Sequence, residues 1–275
     1  MLSQSRPSLI SMVDLMTAPP RILPLEGVEN FRDYGGYRAA GGGRMPTGRF
    51  WRSAHHALAT PGDLETIGGL GLALVVDLRR PRERDASPTP RPPGFAGQVI
   101  DNDFGDQAEA PHVAFLRETD LTTESAQAFF HDYYAKAPFE PRHKELFARY
   151  FEGLARMDGA VLIHCTAGKD RTGLLAALTH HVLGVHRDDA IADYLLTNQA
   201  ARLEARAPMV AKALEAQLGK TPSDAAVRAF LGVDGAYLET ALAAIEGEHG
   251  AIDRYLEAIG VDAAATARLR EKLLV

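Results

Sequence analysis

Two short stretches of the chain are apolar at every position, LALVV at 72–76 and AVLI at 160–163. Unbroken runs of this length, closed by a polar residue or a turn, mark strands covered on both faces, as in parallel sheets. Asp77 ends the first run, and the Asp158-Gly159 turn leads into the second, predicting strands over 72–76 and 160–164. Between them the pattern changes to helical steps. Leu146, Phe147, Tyr150, Phe151, Leu154 and Met157 fall one, three and four apart, which predicts a helix over 142–157 with one apolar stripe. Pro61 suits the first turn of a short helix over 61–69, and the pattern is helical again from Arg171 to about Val182. Beyond residue 187 almost everything reads as helix: 188–197, 200–218, 223–231, 235–246, 249–258 and 263–273.

The remaining segments carry less signal. The glycines and small polar residues of 25–56 suggest short strands joined by tight turns, and QVIDNDF at 98–104 is another strand candidate. RRPRERDASPTPRPPG, at 79–94, is charged and proline-rich and reads as a loop. Segments 111–117 and 123–136 are helix candidates rich in aromatics, inside a region 105–140 that suits a lid-like insertion. Alternating strands and helices followed by a helical tail define an α/β fold class, with a mostly parallel central sheet flanked by helices and a helical C-terminal part. The expected organisation is a flexible leader over 1–24 and one domain over 25–275.

Composition narrows the function. Of 275 residues, 46% are hydrophobic and 24% charged, enough apolar material for a real core. A net charge of −6 argues against bulk attraction to nucleic acid or an anionic membrane, so an anionic substrate would need a local pocket. No apolar run is long enough to span a bilayer, and Asp14 interrupts the N-terminal apolar stretch, which makes a poor secretory signal. The one cysteine, Cys165, cannot form an internal disulfide, which fits a reducing, cytoplasmic setting, although export without an obvious signal is compatible with the chain. The histidines are scattered or doubled (His55-His56, His180-His181) with no cysteine beside them, so neither a metal site nor a cofactor is expected.

That cysteine lies in VLIHCTAGKDRTG, a strand, a loop and a helix start. A helix N-terminus has free N–H groups and partial positive charge, and a loop curled over it makes a nest for a tetrahedral oxyanion. Gly168 lets the backbone turn and approach a ligand closely. Cys165 at the base of the nest is a nucleophile whose thiolate the same field stabilises. The Arg171 fork can take two oxygens of the anion, Thr172 adds a hydroxyl near the sulfur, and His164 can orient the loop. A nucleotide-binding P-loop would need a glycine where Ile163 stands.

HCTAGKDRTG resembles the His-Cys-(x)5-Arg-Ser/Thr signature of the cysteine-dependent protein tyrosine phosphatases. Its Gly-Lys-Asp-Arg version is similar to a bacterial branch of tyrosine and lipid phosphatases typified by a secreted mycobacterial enzyme. NFRDYGGY, GRFWRSAHH, VVDLRRPRE and ADYLLTN resemble other recurring segments of that branch. The resemblance implies attack on phosphorus by Cys165, an anion cup made of Thr166, Ala167, Gly168, Lys169, Asp170 and Arg171, and a phosphorylated protein or phosphoinositide as substrate. A general acid must protonate the leaving group. Asp77 is the first candidate, by its place at the strand end and by the role the branch assigns to its Asp-Leu-Arg aspartate; Asp170 is the second, and Asp101 and Asp103 follow. A cap, or a partner for Arg79 or Arg52, is the alternative for Asp77. Lys169 would add charge for a substrate bearing more than one phosphate. Arg32, Asp33, Arg52 and Ser53 are expected to support the site from outside it.

Overall fold

A computed structural model describes residues 21–104, 109–219 and 221–275. Most of the expected leader therefore lies outside the described residues. Residues 21–24, assigned to it from sequence, are bonded into the fold: the Leu23 N–H donates to the Phe31 carbonyl at 3.0 Å, and Asp33 N–H to that of Arg21 at 2.8 Å.

Five strands form one sheet: β1 (Arg32–Asp33), β2 (Phe50–Ser53), β3 (Leu72–Asp77), β4 (Gln98–Ile100) and β5 (Ala160–His164), in the order β1-β2-β5-β3-β4. β1 runs antiparallel to β2, and every other neighbouring pair is parallel. The apolar runs are central because both faces are covered. Leu74, Val76, Val161 and Ile163 enter the larger core, while Val75 and Leu162, one residue out of phase, enter a smaller one with Phe31, Trp51 and Ile67. Each such buried side chain contributes about 1.5–3 kcal/mol.

Helices α1 (Pro61–Gly68), α2 (Pro81–Ala86), α3 (Pro111–Glu118) and α4 (Thr123–Lys136) precede a 3-10 turn at Ala137–Phe139 and α5 (Pro141–Arg156). After β5 come α6 (Asp170–Val182), α7 (Arg187–Leu195), α8 (Thr197–Ala200), α9 (Leu203–Leu218), α10 (Asp224–Leu231), α11 (Gly235–His249), α12 (Ile252–Ala258) and α13 (Ala263–Leu273). The apolar stripe of α5 packs on the larger core, as its spacing predicts. α2 is the main departure, a helix where a loop was expected. Pro81 occupies its first turn, and the Glu83 side chain accepts the Arg80 N–H at 2.8 Å, so two local devices start a helix in an otherwise loop-like composition.

β2, β3 and β5 run the same way, so Ser53, Asp77 and His164 all lie at one edge of the sheet. The loop from Cys165 to α6 opens there, where α/β sheets present their sites.

Candidate active site

The loop carbonyls are held outward. Thr166 O accepts from His55 N–H at 3.2 Å. Asn30 Nδ2 donates to Ala167 O at 3.1 Å and Gly168 O at 2.8 Å, and Arg52 Nη2 to Gly168 O at 3.0 Å and Lys169 O at 3.4 Å. With these carbonyls engaged from outside the loop, none of the N–H groups of 166–171 donates to another described residue, which leaves them available to an anion. α6 also starts without a side-chain cap, so its first N–H groups stay open. Gly168 is required twice over: its φ is +67°, and a Cβ there would stand 2.3 Å from the Ser53 carbonyl. Cys165, 2% exposed, lies at the base of the cup.

Arg171 folds back over the cup and is fixed from its far end. Its Nη1 donates to Glu83 Oε2 at 2.6 Å and Leu78 O at 3.1 Å, and its Nη2 to Glu83 Oε1 at 2.8 Å. Of five guanidinium N–H groups this leaves only Nε–H without a partner, because Nη2 also donates to the Thr166 hydroxyl at 3.3 Å. That long contact shares an edge with Nε–H, and an anion replacing it there can place two oxygens on that edge. The Thr166 hydroxyl also donates to Glu83. Burial would push the Glu83 carboxyl up, but the Arg171 charge and these hydrogen bonds outweigh it and hold Glu83 well below the usual carboxylate range. Burial works against the Arg171 charge too, yet the Glu83 carboxylate holds that guanidinium firmly protonated. Sequence reasoning missed Glu83. Its one local signal was glutamate at the third position of a proline-started helix.

Behind the loop lies a buried polar network. Arg52 Nη1 reaches Asp193 Oδ2 at 3.0 Å, Arg32 Nη2 donates to Asp193 O at 3.1 Å and Thr197 Oγ1 at 3.0 Å, and Arg32 also donates to the Asn30 side chain. Burial, then the neighbouring Arg52 charge, pulls the Arg32 guanidinium down to about 9. Asp33 accepts from the Gly35 N–H at 2.7 Å and ties a turn beside β1. Ser53 shares a 3.0 Å hydrogen bond with His56. Asn30 and Asp193 complete this support; both lie in segments that carry the resemblance, NFRDYGGY and ADYLLTN, but neither was singled out from sequence.

The two leading acid candidates occupy different settings. Asp77 is 2% exposed and does not line the cavity. Its Oδ2 accepts from Arg79 Nη2 at 2.7 Å and its Oδ1 from Arg79 Nε at 2.9 Å. Burial would raise Asp77, but the His164 and Arg79 charges hold it far below its ordinary range. This is the alternative raised from sequence, a partner for Arg79. Asp170 does line the cavity, and its Oδ1 accepts from the Tyr134 hydroxyl at 3.0 Å. Asp101 and Asp103 pair with Arg84 and do not line the cavity.

Burial, only partly offset by the Asp77 charge, lowers His164 to about 4, and the ring stacks on His56 at 5.3 Å, so it packs behind the loop as a neutral group. Thr172 Oγ1 is buried with no partner, free to donate to a thiolate. Lys169 is turned away from the expected role: its Nζ donates to Phe230 O at 2.7 Å and Gly232 O at 3.0 Å and sits 4.0 Å above the Phe130 ring. The ammonium ties the loop to the end of α10. His56 and His180 are buried at 1% exposure, His180 within α6. Among the described residues no group of His, Cys, Asp and Glu could hold a metal ion.

The cavity above the cup encloses about 200 Å³ and is walled by Pro111 and His112 of α3, Phe129, Phe130 and Tyr133 of α4, Phe230 of α10 and Arg206 of α9. Residues of α3 and α4, from the aromatic-rich segment, are among these walls; the contributions of α9 and α10 were not foreseen.

An anion cup with a thiol at its base and an arginine over it, at the carboxyl edge of a parallel sheet, is the arrangement of a protein tyrosine phosphatase, and the comparisons agree. A family model described as the tyrosine phosphatase family matches residues 23–275, and the chain belongs to that family. It is a phosphatase of the protein-tyrosine class. Similar proteins include a candidate tyrosine-protein phosphatase of Cupriavidus necator, 37% identical over 88% of this chain and 85% of its own length. A tyrosine-protein phosphatase of Nostoc commune is 29% identical over 83% of this chain and 75% of its own. The triple specificity protein phosphatase PtpB of Mycobacterium tuberculosis is 30% identical over 91% of this chain and 98% of its own.

Proposed function

We propose that the protein hydrolyses phosphotyrosine, and more slowly phosphoserine, phosphothreonine and phosphoinositides, through a cysteinyl-phosphate. The Cys165 thiolate attacks phosphorus, an S–P bond forms and the ester P–O bond breaks. Asp170 gives its proton to the departing oxygen. Water then attacks the phosphocysteine, Asp170 takes the proton, the S–P bond breaks and phosphate leaves. The N–H groups of 166–171 and the Nε edge of Arg171 hold the equatorial oxygens throughout.

The observation that carries this reading is the shared cavity: Cys165, residues of the loop 166–171, whose N–H groups donate to no other described residue, and Arg171, whose Nε–H has no partner among them, all line it. Asp170 is preferred as the acid because it lines the cavity, whereas Asp77 is committed to Arg79. Walls of Phe129, Phe130, Tyr133 and Phe230 favour an aromatic ester over an inositol ring. Helices α3 and α4 act as the lid, shielding the thiolate from water and oxidants. A lone thiol suits a reducing cytoplasm, and among the described residues no helix is long and apolar enough to cross a membrane.

The test is Cys165→Ser, assayed on p-nitrophenyl phosphate and for phosphate binding. Turnover is expected to vanish while the cup still binds phosphate. A serine variant that still turns over would remove Cys165 as the nucleophile.

A further inference from the structure

Four side chains bring fixed positive charge to the cavity wall, and three are already engaged. Arg171 pairs with Glu83, Arg80 Nη2 with Glu140 Oε2 at 3.0 Å, and Lys169 with the Phe230 and Gly232 carbonyls. The fourth, Arg206, stands one turn into α9 and is half-buried, its guanidinium making no hydrogen bond or ion pair among the described residues. The start of its helix is fixed just before it: Arg202, at the cap, pairs with Glu29 at 2.6 Å, and Glu204 pairs with Arg228. Arg206 is thus held in place by its neighbours while its own charge goes unanswered.

The direction of that charge can be read from what feels it. Burial is the main reason the Lys169 ammonium is pulled below its ordinary value, and the Arg206 charge adds to it. His55, whose N–H holds the Thr166 carbonyl, is lowered first by burial and also by Arg79 and Arg206. The free guanidinium therefore faces the loop's Lys169 and His55 side. A cation stripped of part of its water and given no partner is costly unless an anion arrives to meet it. A protein of net charge −6 repels acidic partners at long range, so any preference for them must be local.

We propose that Arg206 is a specificity-determining residue that receives the carboxylate of an acidic side chain flanking the phosphotyrosine of a peptide substrate. The aromatic walls hold the tyrosyl ring, the cup holds its phosphate, and Arg206 takes the neighbouring carboxylate. A polyphosphorylated small molecule fits less well, because Lys169, the other cation on this side, is turned to backbone carbonyls. The inference rests on the phosphatase reading above.

The experiment compares kcat/KM for phosphotyrosine peptides that differ only in glutamate, glutamine or lysine at each flanking position. The protein is expected to prefer the glutamate peptide over its glutamine twin by about fivefold at low salt, the size of one partly exposed charge pair. Arg206→Gln should bring that ratio to about one, and Arg206→Glu should shift the preference to the lysine peptide, a reversal that structural damage cannot produce. A ratio unchanged in Arg206→Gln, or an equal loss on all peptides, would overturn the proposal. So would an effect confined to an inositol bisphosphate against its monophosphate, which would assign Arg206 to small polyphosphates instead. If the unaltered protein fails on p-nitrophenyl phosphate and on every peptide, the phosphatase reading itself is what has failed.

Discussion

Replacing Glu83 with glutamine keeps the shape of the side chain and removes its charge. The carboxylate accepts from Arg171 at 2.6 and 2.8 Å, from the Arg80 N–H at 2.8 Å and from the Thr166 hydroxyl. An amide offers one acceptor oxygen and turns an NH₂ toward other donors. Hydrogen bonds to a charged group contribute about 1.5–3 kcal/mol each, against about 1 for neutral ones. The two side chains are only 11% and 12% exposed, so solvent screens the pair weakly. Breaking it while leaving Arg171 charged should cost about 2–4 kcal/mol of stability. The catalytic effect is separate. Arg171 presents its Nε edge because Glu83 grips the opposite one, and a donor displaced by about 1 Å loses up to about a hundredfold in rate. Turnover of p-nitrophenyl phosphate should therefore fall about ten- to a hundredfold in kcat. Inhibition by inorganic phosphate should weaken less, because a negative charge beside the anion has gone. Urea unfolding at a series of pH values supplies the second assay. Glu83 is held well below its ordinary 4.5, so its stabilisation is complete above that value and is lost as pH falls toward the lowered one. The stability gap between the protein and its variant should stay level from pH about 8 to 5 and close on further acidification. A gap that widens in acid, or a variant with full kcat, would refute the reasoning.

Three other outcomes follow from the same geometry. Asp170→Asn should slow phosphotyrosine hydrolysis by about a hundredfold or more and p-nitrophenyl phosphate far less, because nitrophenolate leaves without a proton. Asp77→Asn should instead lower the melting temperature, since it strands the buried Arg79 charge; a leaving-group effect at Asp77 and none at Asp170 would reverse the acid assignment. Gly168→Ala places a methyl 2.3 Å from the Ser53 carbonyl at a φ of +67°, so the loop must move. Loss of at least about tenfold in phosphate affinity, read by calorimetry, is expected, the αL strain alone costing about 1–2 kcal/mol; unchanged affinity would show that the cup does not depend on this turn.

What the chain determined by itself was local. Unbroken apolar runs placed β3 and β5, helical steps placed α5 and the C-terminal helices, and the spacing from His164 to Thr172 placed nucleophile, turn and arginine on one loop. These depend on neighbours a few residues apart, so they are written in the linear order. The tertiary structure decided which distant charges meet. Glu83 and Arg171 are 88 positions apart, and Arg52 and Asp193 are 141 apart. The chain places Arg79 two residues from Asp77 and so offers the ion pair, but only the fold shows that the pair is made and buried. Lys169, read as a ligand for anions, became a strut because α10 delivers two carbonyls to it. Sequence states which groups are available, and folding alone brings a carboxylate to one cation and leaves another, Arg206, without one among the described residues.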